Sequence, residues 1–273
     1  MFYLSDLDKT LLRSDLSVGP LTRDVWNDAV TKGEHLSIAT ARSYTGIREL
    51  LGSLQLREPM ILLDGALIAA PDGTILHAAT LDRAIGDAIL SLVHRVAGEW
   101  PLIVALEADG RERFYYPPDP NPCQRQLLAT MQNARRRSAT QIPTAQERNL
   151  KLVYLQDEAV TAVIEDALHE TFGRSVEIKR AADPYIDCWF LTVLHPEGDK
   201  AHALTKLEEL EGIDRNETTV FGDHHNDIGL FRAAGTKVAV ANAVPELKKL
   251  ADIVLPHTND EEGVARYLRE TLR

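Results

Sequence analysis

The chain reads as an α/β protein: a Rossmann-like parallel-sheet core domain built from both chain ends, with a second, α+β domain inserted between them. Three observations predict this. Short apolar strands alternate with helical periodicities over the first eighty residues, and the alternation returns from about Gly198. The middle breaks that rhythm with closely spaced, paired strands. Each end also carries an apolar strand that runs straight into carboxylates, at Asp6 and Asp8 and again at Asp223 and Asp227. Strands alternating with helices imply a parallel sheet with helices on both faces.

Taken in order, Phe2 to Ser5 is the first strand. Leu21, Val25, Trp26, Ala29 and Val30 recur at helical spacing, and Gly33 can end that helix. His35 to Ala39 is the second strand, followed by a helix from about Ser43 to Leu54 and a third strand from Pro59 to Leu63. Asp64-Gly65 and Pro71-Asp72-Gly73 are turn signals around Ala66 to Ala70, which suggests a hairpin. In the middle, a helix from Leu81 to Ala97 precedes strands at Leu102 to Leu106 and Arg113 to Tyr116. A proline-rich loop from Pro117 to Pro122 leads into a helix through Met131. Leu150 to Leu155, Ser175 to Lys179 and Tyr185 to Val193 read as strands, with a helix over Glu158 to Phe172. The last third repeats short units: helix Lys200 to Leu210, strand Thr218 to Gly222, helix Asp227 to Ala234, strand Lys237 to Ala241, helix Pro245 to Ala251 and strand Ile253 to Leu255. Asn259 with Glu262 three later has the pattern of a capping box for a final helix. The expected division is therefore 1–80 with 194–273 for the core and 81–193 for the inserted domain.

A chain of 273 residues, 44% hydrophobic and 26% charged, has room for two moderate domains and the balance of a globular protein. No apolar run approaches the roughly 18 residues of a membrane span, and the N-terminus lacks a basic region before its first acids, unlike a signal peptide. A net charge of −11 disfavours nucleic acid as a partner. The one basic cluster, Arg135 to Arg137, reads as a solvated helix end. Cys123 and Cys188 are read as structural, without a disulfide scaffold, in a reducing cytoplasm. A monomer or weak homodimer is expected.

The chemistry lies at the strand ends. Two carboxylates spaced two apart after a strand can converge where the chain turns, and two acidic strand ends in one chain suggest a Mg²⁺ site. Thr40 ends the second strand ahead of a helix start, a place where a hydroxyl and backbone N–H groups cradle phosphate; a plain helix cap by Thr40 or Ser43 is the other reading. Lys200 opens a helix against the dipole preference, which implies an anionic neighbour. In open α/β sheets ligands sit beyond the carboxyl ends of the strands. The set matches phosphoryl transfer through an aspartyl-phosphate.

With these residues in view, the chain resembles the haloacid dehalogenase superfamily, in its Cof-like branch of sugar-phosphate phosphatases. Asp6-Leu7-Asp8-Lys9-Thr10 matches the first motif, Thr40 the second, Lys200 the third and Gly222-Asp223-His224-His225-Asn226-Asp227 the fourth. The resemblance implies Asp6 as nucleophile and Asp8 as general acid/base. It implies Mg²⁺ held by Asp6, the backbone carbonyl of Asp8 and Asp223, with Asp227 counted in the metal set. Thr40, Ala41, Arg42, Lys200 and Asn226 would bind the substrate's phosphate. A large cap would shut out water and select the leaving group. Arg113, Tyr115, Arg180 and Asp187 are candidates to face the substrate from it. Three departures stand out: Lys9 in place of the common glycine, Asp64-Gly65-Ala66 in place of Asn-Gly-Ala, and the His224-His225 pair. The expected function is Mg²⁺-dependent hydrolysis of a small phosphorylated metabolite, a sugar phosphate first. A phosphomutase and a non-enzymatic phosphate-binding protein stay open as alternatives.

Overall fold

The structure is a computed structural model that describes residues 1–130, 137–139, 144–183 and 186–272. It divides into two compact units, 1–77 with 199–273, and 78–198.

The first unit begins with β1 (Phe2–Ser5), α1 (Pro20–Thr31), β2 (His35–Ile38), α2 (Tyr44–Arg48), β3 (Met60–Leu62), β4 (Leu67–Ala69) and β5 (Ile75–Ala78). Proline at the first helical position starts α1, and Trp26, Ala29 and Val30 give it a buried stripe. Only the first turn or so of the expected 43–54 helix forms. Gly46 and Gly52 weaken helical propensity there, and the chain turns after Arg48. β3 pairs antiparallel with β4, Ile61 opposite Ile68, and β5 extends that small sheet.

Chain order continues through the second unit with β6 (Leu81–Asp82), α3 (Arg83–Ala97), β7 (Leu102–Leu106), β8 (Glu112–Tyr116), α4 (Pro122–Thr130), β9 (Arg137–Ala139), β10 (Arg148–Gln156), α5 (Glu158–Phe172), β11 (Glu177–Ala182) and β12 (Trp189–Leu194). Its sheet runs β11-β12-β10-β7-β8-β9. Asp82 and Asp157 cap α3 and α5, accepting from the N–H groups of Ile85 and Val160. Both helices pack on one sheet face, where Ile89, Val93, Ile164 and Leu168 meet Ile103, Leu152, Leu191 and Val193. The opposite face carries a smaller cluster of Leu102, Val153 and Leu155, with Phe114, Tyr116 and Leu127 against it.

The return to the first unit brings α6 (Lys200–Glu211), β13 (Thr218–Gly222), α7 (Ile228–Ala233), β14 (Thr236–Ala239), α8 (Pro245–Leu250), β15 (Ile253–Val254) and α9 (Gly263–Thr271). The main sheet is parallel, in the order β15-β14-β13-β1-β2. From β1 the chain builds outward through β2. From β13 it builds outward the other way. The switch point therefore falls between β1 and β13, where Ser5 lies opposite Phe221.

Several expectations are corrected. Cys123 and Cys188 form a disulfide that ties α4 to the start of β12, so the argument for a reducing compartment falls with it. Packing of α4 over Val153 and Leu155 of β10, together with the antiparallel pairing of β10 with β12, supplies the proximity, which a separation of 65 residues does not reveal. Asn259 and Glu262 do not make a capping box. Asn259 donates to the Leu12 carbonyl, and Glu262 accepts from Arg13 and the Thr22 N–H, so both anchor the segment after β1. Arg137 opens a strand rather than ending a helix, and Arg135 and Arg136 lie outside the described residues, as does Tyr185. Arg113, Tyr115 and Arg180 belong to the helix-covered face of the inserted sheet. Tyr115 donates to Glu107, while Arg180 bonds Glu165 of α5 and stacks on Trp189. Asp187 is exposed just before β12. No described helix is long and apolar enough to cross a membrane.

Candidate active site

β1 delivers Asp6 to the switch point, where its N–H donates to the Phe221 carbonyl. Beyond it the chain makes a wide turn over Leu7–Leu11, closed by the Leu12 N–H on the Leu7 carbonyl at 2.9 Å. Lys9 takes a left-handed backbone in this turn, φ 57°, a conformation glycine adopts without penalty. The turn brings Thr10 back toward the sheet, and its hydroxyl donates to Asp223 Oδ1 at 3.0 Å. Thr10 was legible as part of the first motif, but not its task of orienting Asp223.

β13 ends at Gly222, and a Cβ there would lie 2.7 Å from Asp227 Oδ2, so glycine lets the Asp227 carboxylate fold back on the strand end. That oxygen accepts from the N–H groups of Asp223 and His224. The other oxygen accepts from Lys200 Nζ at 2.7 Å. Lys200 is 1% exposed and also donates to Asp6 Oδ1 at 2.6 Å. Asp199 caps α6 through the N–H groups of Ala201 and His202, leaving Lys200 in the first turn with its ammonium turned inward. The anionic neighbours expected for this lysine are thus Asp6 and Asp227.

One carboxylate oxygen from each of Asp6, Asp223 and Asp227 lies within 4.8 Å of the other two, and all three residues are buried. Burial raises the Asp6 pKa well above the usual carboxylate range; Lys200 opposes the shift, while Asp227 and Asp223 add to it. Asp223 is pushed up to about 7, again by burial first and by Asp227 second. Burial works against the charge on Lys200, but Asp227 and Asp6 outweigh it and hold the ammonium protonated. Only when all three carboxylates are ionised, as a bound cation would favour, do they exceed the one ammonium by two negative charges. An all-oxygen donor set with that surplus fits a hard divalent cation. Asp8 lies differently. Arg42 grips its carboxylate through two bonds of 2.6 and 2.8 Å, and it is not a member of the three-aspartate cluster.

β2 delivers Thr40, fully buried, whose hydroxyl accepts from the Arg42 N–H at 3.2 Å. Ser43, not Thr40, caps α2. Ala41 and Arg42 follow on the same loop, half-buried. Asn226 is half-buried in the 3₁₀ turn His225–Asp227. His224 and His225 are exposed, edge to face at 4.8 Å, with His225 3.6 Å from Glu246. Neither belongs to the metal-capable cluster found among the described residues.

A family profile described as haloacid dehalogenase-like hydrolase matches residues 3–268. The chain is 28% identical to the HMP-PP phosphatase of Cronobacter sakazakii, covering 98% of this chain and 94% of that one. It is 26% identical to the 5-amino-6-(5-phospho-D-ribitylamino)uracil phosphatase YwtE of Bacillus subtilis, covering 98% and 96%. Among solved structures, a haloacid dehalogenase-like hydrolase from Bacteroides thetaiotaomicron superposes with a TM-score of 0.82 at 22% identity over 98% of each chain. Another from Bacillus subtilis gives 0.78 at 22% identity over 99% and 100%. With the profile spanning nearly the whole chain and the acidic strand ends converging at the switch point, the protein belongs to the haloacid dehalogenase-like hydrolase family and is one of its phosphatases.

Proposed function

We propose that the protein hydrolyses a small phosphorylated metabolite, a sugar phosphate or a similar polyol phosphate, through an aspartyl-phosphate on Asp6, with Mg²⁺ as cofactor. The observation that carries the reading is the buried Asp6–Asp223–Asp227 cluster with Lys200 bridging two of its members. Two relatives are named for their substrates, HMP-PP and 5-amino-6-(5-phospho-D-ribitylamino)uracil; the second carries its phosphate on a ribityl chain, which supports the polyol class.

In this reading an Asp6 oxygen attacks phosphorus and the ester oxygen leaves with a proton from Asp8. Asp8 then takes a proton from the water that attacks the acyl phosphate, and inorganic phosphate departs. Arg42 orients Asp8 for both tasks through its paired bonds. Thr40, Ala41, Lys200 and Asn226 are assigned to the phosphate; Arg42, expected among them, is taken up by Asp8 instead, and Thr10 fixes Asp223. Asp6, the Asp8 carbonyl and Asp223 are the proposed metal donors. Asp227, whose two oxygens are engaged by Lys200 and by backbone N–H groups, sets Lys200 in place. A bound Mg²⁺ would neutralise the surplus negative charge and polarise the phosphoryl oxygen. The inserted unit 78–198 is proposed as the cap that selects the leaving group.

Two measurements test this. EDTA should stop phosphate release from an aryl phosphate, and Mg²⁺ should restore it. Asp8→Asn should slow breakdown of the intermediate more than its formation, so acid-quenched variant should carry phosphate by intact mass. Wild-type turnover by Asp8→Asn, with no phosphorylated chain, removes the acid/base role. Phosphate release that needs a bisphosphate activator points to a mutase instead.

A further inference from the structure

The segment between β3 and β4 has a backbone that the reaction itself does not explain. Leu63, Asp64 and Gly65 take left-handed conformations one after another, at φ 52°, 65° and 118°. Two of them carry side chains, and residues held in such conformations persist where their surroundings over-determine them. Those surroundings are the elements that carry Thr40, Arg42 and Lys200. The Leu63 N–H donates to the Arg42 carbonyl and the Asp64 N–H to the Thr40 carbonyl, each at 3.0 Å. Gly65 forms an antiparallel bridge with Asp199, the cap of α6. A Cβ on Gly65 would stand 2.1 Å from the Asp199 carbonyl carbon and oxygen and 2.7 Å from the Lys200 nitrogen. Those are backbone atoms of a capped helix start, so they cannot swing aside as a side-chain tip would.

From this we infer that the Leu63–Gly65 turn is a positioning wedge. One side fixes the Thr40–Arg42 loop, and the other fixes the height at which α6 begins. It thereby sets Lys200 against Asp6 and against Thr40. Gly65 is a positioning residue that acts through Lys200. The inference rests on the phosphatase reading for its catalytic consequence, but not for its geometry. Any side chain at 65 lifts the start of α6. Lys200 Nζ then leaves a 2.6 Å contact in a buried site with no slack, because Lys200 and its two partners are all buried. Misplacement by about 1 Å of a group that orients a reacting centre is enough to lower turnover about 100-fold.

The test is Gly65→Ala in the full chain, read by crystallography and by hydrolysis of an aryl phosphate with Mg²⁺. The Lys200–Asp6 contact should open beyond hydrogen-bonding distance, and kcat should fall about 100-fold. A merely structural role is separated by a double-mutant cycle with Lys200→Arg. If Gly65 acts through Lys200, the double variant should be no more than about threefold slower than the slower single variant. Losses that multiply, or a contact that stays closed in folded Gly65→Ala, overturn the wedge. Should Gly65→Ala fail to fold, Asp64→Val takes its place in the same cycle, since a β-branched residue resists the left-handed backbone. A wild-type protein that hydrolyses no phosphate ester sinks the phosphatase reading, and the wedge is then decided by the contact distance alone.

Discussion

Buried polar groups differ in kind between the two units. In 1–77 with 199–273 they include Asp6, Asp64, Lys200, Asp223, Asp227 and Glu262; in 78–198 they are Gln124, Asn149, Thr161 and Thr192, with Glu112 the one charged member among the described residues. The neutral groups close local structure. Asn149 donates to the carbonyls of Leu81 and Gln146 and accepts from the Gln146 N–H. Gln124 bonds the Trp100 carbonyl and the Asn121 N–H. In the first unit, Asp6, Asp223 and Asp227 instead crowd like charges at one sheet end. Burying ions costs far more than burying amides. The first unit therefore carries an electrostatic load that a fold-only role would not retain, whereas the second is arranged for packing.

The largest expected effect probes the loaded side. Asp6→Asn keeps the shape and an acceptor for Lys200, but an amide cannot serve as the nucleophile. Turnover of an aryl phosphate should drop by about three orders of magnitude or more. The fold should survive, and without metal the variant should melt no lower than wild type, because one of three repelling carboxylates is gone. Activity above a tenth of wild type, or a clear loss of stability in EDTA, would erase the contrast between the units.

Asn149→Ala probes the other side. It strips three hydrogen bonds from a residue with no exposure, taking a partner from the buried Leu81 carbonyl and from the N–H and carbonyl of half-buried Gln146. Stability should fall by about 2–3 kcal/mol, read by urea unfolding, while kcat of the folded fraction stays within about twofold. A change in kcat larger than the change in folded fraction would tie the inserted unit's interior to chemistry.

Legibility in the sequence followed the same divide. Asp6, Thr40, Asp223 and Lys200 could be placed near one another because each stands at an element end, and the ends of parallel strands meet in space. Lys200 even announced an anionic neighbour, since a cation in the first turn of a helix needs one, though not that Asp6 and Asp227 would supply it. What could not be read depends on contacts between distant segments. Asn259 and Glu262 fit a local cap pattern, yet their partners are Leu12, Arg13 and Thr22. The Arg42 grip on Asp8 and the Cys123–Cys188 bond likewise need the chain to be folded before either pair is adjacent. Arg180 looked free to meet a substrate, but strand parity turns it toward α5, where Glu165 takes it. A one-residue change of strand start decides which face a side chain occupies.

The smallest expected effect concerns Tyr154, in the middle of β10. Its ring belongs to the core under α3 and α5, and its hydroxyl is buried without a hydrogen-bond partner among the described residues. Burial alone raises its pKa well above the usual phenol range, so the hydroxyl stays neutral at any working pH. A desolvated hydroxyl that makes no bond is a cost with no return, on the order of 1 kcal/mol or more. Tyr154→Phe removes that cost and leaves the ring's packing in place. The gap left by one oxygen gives back a few tenths of a kcal/mol. The balance should be a gain of about 0.5–1 kcal/mol, seen in urea as a higher midpoint with unchanged slope, with aryl phosphate turnover unaltered. If instead the variant loses about 1 kcal/mol, the hydroxyl is satisfied in solution. The inserted unit would then hold a polar network of its own, and the contrast with the charged site would narrow.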